Sequence, residues 1–246
     1  MAFITPKTDW SSVDGVRDTD FNRIEGNILE LYNMTGARSD LYIYVDASTG
    51  SDDTGNGTAA NPYRTISKAL SVLPHNLEGK DVAISIAGGT YNEDVTIRGF
   101  DAPLTLTNGG EEVTINGLRV DGCHCSLGNN IRVKTSGPVW VVNCGTLTGS
   151  GSLHTNGSYV SLNYGALVAL AAVRCDNSPG FAVSADMCSR FYAANLDGDG
   201  NASGLAAQGG SVIAFGDTNI EANSPALFTA LGGRIYTGAQ ASVLNY

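Results

Sequence analysis

The sequence predicts an all-β solenoid, and three observations lead to this fold class. The last third of the chain repeats one unit, with copies that begin at Gly165, Ser189, Ser211 and Gly233, which are 24, 22 and 22 residues apart. Turn formers are frequent, with 31 glycines, while charged residues make up only 15% of the chain. Both features favour short strands over helices. A repeat in the low twenties is typical of a solenoid, in which each unit buries its apolar face by stacking on the next.

The overall charge narrows the possible partners. The formal net charge is −10, which disfavours nucleic acid and anionic membrane surfaces because both attract basic proteins. No stretch approaches 18 consecutive apolar residues, so we expect no membrane insertion. The first residues, Met1 to Lys7, lack the apolar run of a secretory signal, so the expectation is assembly in a cytosol.

Residues 1–38 are predicted to form an N-terminal arm and a short α-helix, separate from the repeat. The helix is expected over residues 18–32, where Asp18 or Thr19 can cap its first turn. Its narrow apolar seam is barely two heptads long, too short to be stable alone. Two interpretations remain open: an oligomerising stalk or docking plug, or a helix that packs back on its own domain. The residues predicted to serve oligomerisation or attachment are Trp10, Phe21, Ile24, Ile28 and Leu31.

Residues 39–246 are predicted to form the solenoid itself. A strand at 41–46 and a turn-rich loop lead to a second short helix at 66–73, whose apolar face is formed by Ile66, Ala69, Leu70 and Leu73. Further strands follow with no helix between them, so parallel neighbours must be connected around a coil. The predicted strands are 81–86, the second part of 87–98, 104–106, 113–115, 118–120, 125–127, 131–133, 139–142 and 159–162.

The first hundred residues also carry a family resemblance. The segments that carry it are Tyr44-Val-Asp46, 50–57, Asn61-Pro-Tyr-Arg-Thr-Ile66, Gly89-Thr-Tyr-Asn-Glu93 and Val95-Thr-Ile97. In this order they resemble the start of the right-handed parallel β-helix of the pectin-lyase-like superfamily and of bacteriophage tailspikes. The resemblance implies that the helix at 66–73 caps the N-terminal end of the coil. The segment from Trp10 to Glu25 is similar to the start of structural proteins from phages and prophages of Gram-positive bacteria.

No catalytic residue is assigned from the sequence. The superfamily's catalytic carboxylates and arginine find no counterparts here, the carboxylates at 111–112 and 197–199 are interpreted as solvated turn charges, and none of the arginines sits in a recognisable acidic cluster. Whether the chain is an enzyme is left open, with a non-enzyme favoured and no cofactor expected. A weak calcium candidate is the loop with Asp46, Asp52 and Asp53, but it lacks the full EF-hand spacing and a solvated turn is the favoured interpretation.

The cysteines and the aromatic residues allow further expectations. The five cysteines (123, 125, 144, 175 and 188) are interpreted as reduced thiols that face inward. Aromatic residues recur along the repeat, and periodicity alone does not say which face inward, although a core position is favoured for most. Turned outward they would form a platform for sugar rings. The possible glycan contacts are Trp140, Tyr164, Tyr192 and Tyr236.

These inferences predict a phage virion protein, assembled in the host cytoplasm. The expectation is a homotrimeric tail fibre that binds other virion proteins through its N-terminus and presents its β-helix to a host cell-surface glycan. One alternative is an architectural part of the virion, such as a head fibre, capsid decoration or baseplate spacer. A second alternative is a tailspike that degrades polysaccharide.

Overall fold

The computed structural model describes residues 22, 24–25, 40–77, 79–108, 110–129, 131–214, 218–222 and 227–237. From residue 40 onward they form a parallel β-solenoid with one short helix, α1, as the sequence predicts. The strands are β1 Leu41–Val45, β2 Val82–Ile86, β3 Gly89–Arg98, β4 Leu104–Thr107, β5 Glu112–Asp121, β6 His124–Leu127, β7 Arg132–Thr135, β8 Val139–Val142, β9 Thr146–Asn156, β10 Val160–Asn163, β11 Leu167–Asp176, β12 Phe181–Asp186, β13 Arg190–Asn201, β14 Ser203–Gln208, β15 Ser211–Ala214, β16 Thr218–Ala222, β17 Leu227–Ala230 and β18 Arg234–Thr237, and α1 is Ile66–Val72. Within this described part of the chain, no helix is long and apolar enough to cross a membrane.

The strands stack in parallel on three faces. Face A contains β1, β2, β4, β6, the first parts of β9, β11 and β13, then β15 and β18. Face B contains the first parts of β3 and β5, β7, the second parts of β9, β11 and β13, and β16. Face C contains the second parts of β3 and β5, then β8, β10, β12, β14 and β17. The long strands therefore turn a corner between two faces, and the pairing register shifts where β3 and β11 do so. In β13 the register shifts later, between Gly198 and Asn201.

The core is a set of columns in which one apolar side chain lies directly on the next. One column on face A consists of Leu147, Val168, Phe191, Val212 and Ile235, all buried. Their neighbours in sequence point outward, because successive side chains of a strand alternate between its two sides. Each coil therefore contributes a few buried side chains, and burial of the whole column depends on stacking.

The repeat predicted from the sequence was wrong by one residue in two of its four copies. The structurally equivalent positions are Ala166, Ser189, Gly210 and Gly233, so the predicted starts at 165 and 211 are each shifted by one. Residues 167–170 of the first copy are all apolar, so a shift of one residue still presents an apolar set. The strand has period two, and such a shift exchanges its inward and outward faces.

Helix α1 confirms the short helix predicted at 66–73, with Leu73 as its C-terminal cap. Its buried side is formed by Ile66 and Ala69, with Leu70 packed against the core. At its first turn the Thr65 side chain accepts a hydrogen bond from the Lys68 amide. The helix packs against β1 and β3, the strands that begin the coil.

The first turn of α1 also has a second cap, supplied by β3. The Glu93 carboxylate accepts hydrogen bonds from the amides of Ile66 at 2.7 Å and Ser67 at 2.8 Å, and from the Ser67 hydroxyl. These amides have no partner inside the helix, and a carboxylate suits them because the N-terminus of a helix carries partial positive charge. Glu93 thus connects the helix to the first full coil.

The predicted N-terminal helix falls almost entirely outside the described residues. Asn22, Ile24 and Glu25 are helical and exposed, which agrees with a helix at this place. Ile24 is 46% exposed. The other predicted attachment residues, Trp10, Phe21, Ile28 and Leu31, lie outside the described part of the chain.

Candidate functional site

A groove on face C contains the first of the predicted glycan contacts. Thr96, Arg119 and Trp140 follow one another on β3, β5 and β8 as outward residues of one column. With Asp94 and Gly117 they line a groove of about 320 Å³. The groove therefore combines an aromatic ring, a guanidinium, a carboxylate and a hydroxyl within three coils.

The floor of this groove depends on Gly117. A β-carbon at this position would lie 2.9 Å from the Asp94 Oδ1 atom and 3.1 Å from the Pro138 carbonyl oxygen. Contacts this short force a neighbour to move, so any side chain at 117 would displace Asp94 and fill the space. The absence of a side chain at this position keeps the groove open.

The guanidinium of Arg119 is fixed from one side. Its Nε and Nη2 atoms donate to Asp121 Oδ2 at 3.2 and 3.0 Å, and the Asn143 side chain donates to Asp121 Oδ1 at 2.7 Å. The pKa of Asp121 is lowered, mainly by the hydrogen bond from Asn143 and next by the hydrogen bond from Arg119, so the carboxylate stays ionised. A guanidinium has five N–H donors, so Arg119 has donors beyond the two that bind Asp121. The Arg119 side chain is 42% exposed.

Trp140 lies between two core residues, Val139 and Val141, and its ring points outward. The Tyr159 ring packs against it edge-on, with centroids 5.5 Å apart and an angle of 84° between the planes. This arrangement holds the indole in place and leaves it partly exposed. A fixed, half-exposed indole beside polar groups can stack on an apolar ring face while those groups bind its hydroxyls.

The other predicted glycan contacts also point outward, but the structure does not bring them to Trp140. Tyr192 and Tyr236 share one outward column of face A, with Ile213 between them. Tyr164 lies in the turn between faces C and A and is 58% exposed. The expectation that most recurring aromatics are core residues was wrong: among those that the structure describes, Phe191 alone is buried. The four possible glycan contacts face outward, as that role requires.

A second groove, on face B, contains a network that the sequence did not predict. Lys134, His154, Arg174 and Asp197 form one outward column on four successive coils. The His154 Nε2 atom lies 2.8 Å from Asp176 Oδ2, and Arg174 donates to the same oxygen from Nε at 2.7 Å and to Asp197 from Nη1. His154, Arg174 and Asp197 border a groove of about 380 Å³, whose lining also includes Ser152 and Ala172.

This network corrects one sequence interpretation: Arg174 does sit in an acidic cluster, because it binds both Asp176 and Asp197. Asp176 is the centre of the network, and its side chain is only 13% exposed. Two contacts of the network, His154 with Asp176 and Arg174 with Asp197, join residues 22 and 23 positions apart, so these partners are not neighbours in the sequence. Only the correct register would have placed His154, Arg174 and Asp197 in one column, and a near-continuous apolar run hid that register.

The electrostatics of Asp176 decide what the network can do chemically. Burial opposes ionisation, but the hydrogen bonds from Arg174, His154 and the Asp199 amide outweigh it and lower the pKa of Asp176. Asp176 and Asp197 both bind Arg174. Among the described residues, this is the arrangement most similar to a paired-carboxylate site. A general acid for glycoside cleavage needs a raised pKa, and Asp176 is held in the opposite state.

The loop proposed as a weak calcium site is held by its own hydrogen bonds. Asp46 accepts from the amides and hydroxyls of Ser48 and Thr49, and the Thr49 hydroxyl is the first cause of its lowered pKa. Asp52 accepts from the amides of Arg64 and Thr65 and from the Thr65 hydroxyl. Asp53 is exposed. Within the described ranges, no three His, Cys, Asp or Glu side chains form a group that could hold a metal ion.

The cysteines divide into two classes. Cys123, Cys125 and Cys175 are buried, as predicted, and burial raises the pKa of Cys175 to about 12. Cys144 and Cys188 are exposed, so the prediction of inward thiols was wrong for them. Both lie in turns between faces C and A, where their φ angles are 61° and 64°. A turn residue in this conformation cannot follow the alternation of a strand.

Comparison with known proteins gives one finding. No curated protein and no solved structure gives a significant match to the chain. Residues 48–240, which include every strand after β1 and both grooves, match the family "Protein of unknown function (DUF1565)". The chain therefore belongs to the DUF1565 family.

Proposed function

We propose that this protein is a glycan-binding structural component of a bacteriophage virion, a homotrimeric tail fibre. Residues 1–38 attach it to other virion proteins, and the solenoid contacts a glycan on the host cell surface. The observation that carries the glycan part of the proposal is the groove on face C around Trp140. The virion part is supported by the resemblance of residues 10–25 and 44–97 to phage structural proteins and tailspikes.

The groove has the chemical features of a sugar site. Trp140 offers a ring face, Arg119 offers N–H donors, and Asp94 and Thr96 offer acceptors. A pyranose presents apolar C–H faces and a rim of hydroxyls, so an aromatic ring beside planar polar groups fits both. A parallel solenoid adds a long face along which an extended polymer can lie.

The electrostatics support binding in preference to cleavage. The carboxylates with shifted pKa values near the two grooves, Asp121 and Asp176, are both shifted downward and held by arginine. Such carboxylates accept hydrogen bonds from sugar hydroxyls, but they are poor proton donors at neutral pH. The proposal therefore assigns them to recognition.

The test uses the indole as its own reporter. The chain has two tryptophans, so the Trp10→Phe variant leaves Trp140 as the sole indole. Titration of this variant with cell-wall polysaccharide fragments from Gram-positive bacteria should change its emission in a saturable manner. In the wild-type background, Trp140→Ala should weaken binding to immobilised polysaccharide at least tenfold.

The matched control is Tyr42→Ala, which removes an aromatic ring that is 66% exposed on the first strand of face A. This variant should bind like the wild type. If neither the emission nor the binding of the wild-type protein responds to any polysaccharide, glycan recognition is refuted. An architectural role in the virion then becomes the better proposal.

A further inference from the structure

The corner between faces C and A has an unusual backbone. On successive coils, Asn143, Tyr164 and Met187 have φ angles of 54°, 58° and 48°, and Leu231 has 53°. The turns are linked from coil to coil, since the Cys144 amide donates to the Tyr164 carbonyl at 2.9 Å and the Gly165 amide donates to the Met187 carbonyl at 3.0 Å. The corner is thus a regular column of left-handed turns.

Three of these positions carry large apolar side chains that face solvent. Tyr164 is 58% exposed, Met187 is 55% exposed and Leu231 is 86% exposed. We call this column of three side chains the corner ridge. Left-handed φ angles favour glycine and asparagine and are unfavourable for other residues. Asparagine occupies the equivalent position at 143, and a shorter Gly209-Gly210 turn crosses the same corner, so the fold accepts residues that would avoid this cost.

In the isolated chain, each ridge residue therefore makes two unfavourable contributions to the free energy of the folded state. Each holds a side chain in a conformation that disfavours it, and each exposes apolar surface to water. Nothing in the solenoid's own packing requires them, because their side chains leave the corner outward. Burial against another surface would offset both terms.

The repeat of the ridge and the charge of the chain indicate what that surface is. Tyr164 and Met187 lie on neighbouring coils, about 4.8 Å apart, and Leu231 lies two coils beyond Met187, with Gly209 at the equivalent position between them. A parallel copy of the same chain offers an apolar column with the same pattern of spacings. Copies with a net charge of −10 repel each other, and contact is most favourable where the surface carries no charge. The three ridge residues are uncharged.

We infer that the corner ridge is the contact between copies of this chain, which lie parallel with equivalent coils at the same level. A solenoid with three faces has corners that can meet at a three-fold axis. The inference rests on the homotrimer of the proposed function and deepens it by naming the surface. Each ridge then packs against its equivalents, and the turn thiols of Cys188 lie beside that axis.

The test replaces the ridge with asparagine, which tolerates the left-handed conformation. In the full chain, Tyr164→Asn, Met187→Asn and Leu231→Asn together should weaken self-association at least tenfold by sedimentation equilibrium. At a protein concentration at which the wild type is monomeric too, the variant should stay folded, with an unfolding midpoint equal to or above that of the wild type. A ridge needed only for folding would lower that midpoint instead. The control Tyr42→Asn removes an equally exposed ring from face A and should leave association unchanged.

A second measurement uses the exposed thiols of Cys144 and Cys188, which lie in the same column of turns. A short bis-maleimide should join copies of the wild-type chain covalently, and the double variant Cys144→Ser, Cys188→Ser should lose most of that product. Trimers that persist unchanged in the asparagine variant would overturn the inference while the proposed function stands. A wild-type chain that is monomeric at all concentrations would overturn both the inference and the trimer, and glycan binding at Trp140 is tested independently of either outcome.

Discussion

Replacing Glu93 by alanine tests how the first helix is fixed to the coil. The substitution removes the acceptor of the Ile66 and Ser67 amides and of the Ser67 hydroxyl. The Ser67 donors are exposed and can turn to water, whereas the Ile66 amide is partly buried and loses its partner. A hydrogen bond to a charged group contributes about 1.5–3 kcal/mol, so we expect the free energy of unfolding to fall by roughly that amount.

The assay combines global and local readouts. Denaturant titration should show the loss, and the thermal midpoint should fall by roughly 2–4 °C for each kcal/mol in a chain of this size. Hydrogen exchange at Ile66 and Ser67 should accelerate more than tenfold, while exchange in the face A strands β11 and β13 stays near that of the wild type. Glu93→Gln keeps one acceptor oxygen and should lose about half as much. An alanine variant with unchanged stability and unchanged exchange at Ile66 would refute the assigned cap.

Three other predictions follow from single features of the solenoid. In the folded protein, a thiol reagent should modify Cys144 and Cys188 rapidly and the three buried cysteines only after denaturant is added, as counted by mass spectrometry. The pKa of Asp176 is lowered in the folded state. Its contribution to stability is therefore complete above its ordinary pKa and is lost as the pH falls through the folded value. In an acid titration, the free energy of unfolding should decline below about pH 4, and this decline should be smaller in Asp176→Asn. Gly149→Ala places a β-carbon 2.0 Å from the Leu127 carbonyl oxygen of the preceding coil and should destabilise the fold by about 2–4 kcal/mol. The control Gly79→Ala has no atom within 4 Å of its new β-carbon and should cost only about 1 kcal/mol. Denaturant titration measures both losses.

Much of the fold was predictable because it depends on local patterns. The helix at 66–73 and the strand at 139–142 were predicted almost to the residue, since apolar spacing and turn residues define them. Residues 113–115 and 118–120 were predicted as two separate strands, but they belong to one continuous strand, β5, that bends at a corner. A bend at glycine and asparagine resembles a turn in sequence, so the pattern indicated its position but not the continuity of pairing.

The candidate sites were less predictable because they depend on register. Trp140 was identified as a possible contact, but its partners Asp94 and Arg119 come from preceding coils. The network around Asp176 was missed for the same reason. A one-residue shift in the Leu167 copy reverses which side chains face solvent, and only the stacked structure determines it.

The stacking of equivalent coils also limits how this protein can evolve. Each coil uses 21 to 23 residues between the stacked positions Leu147, Val168, Phe191, Val212 and Ile235, and presents the same three edges to the coils above and below. Loss or duplication of one whole coil would leave every interface matched and change the length of the molecule by about 4.8 Å. A deletion of one residue inside a strand would instead expose a column of core side chains. Length variation among relatives should therefore come in steps of one coil. Such a step changes the length of the solenoid and leaves the core packing of the remaining coils unchanged.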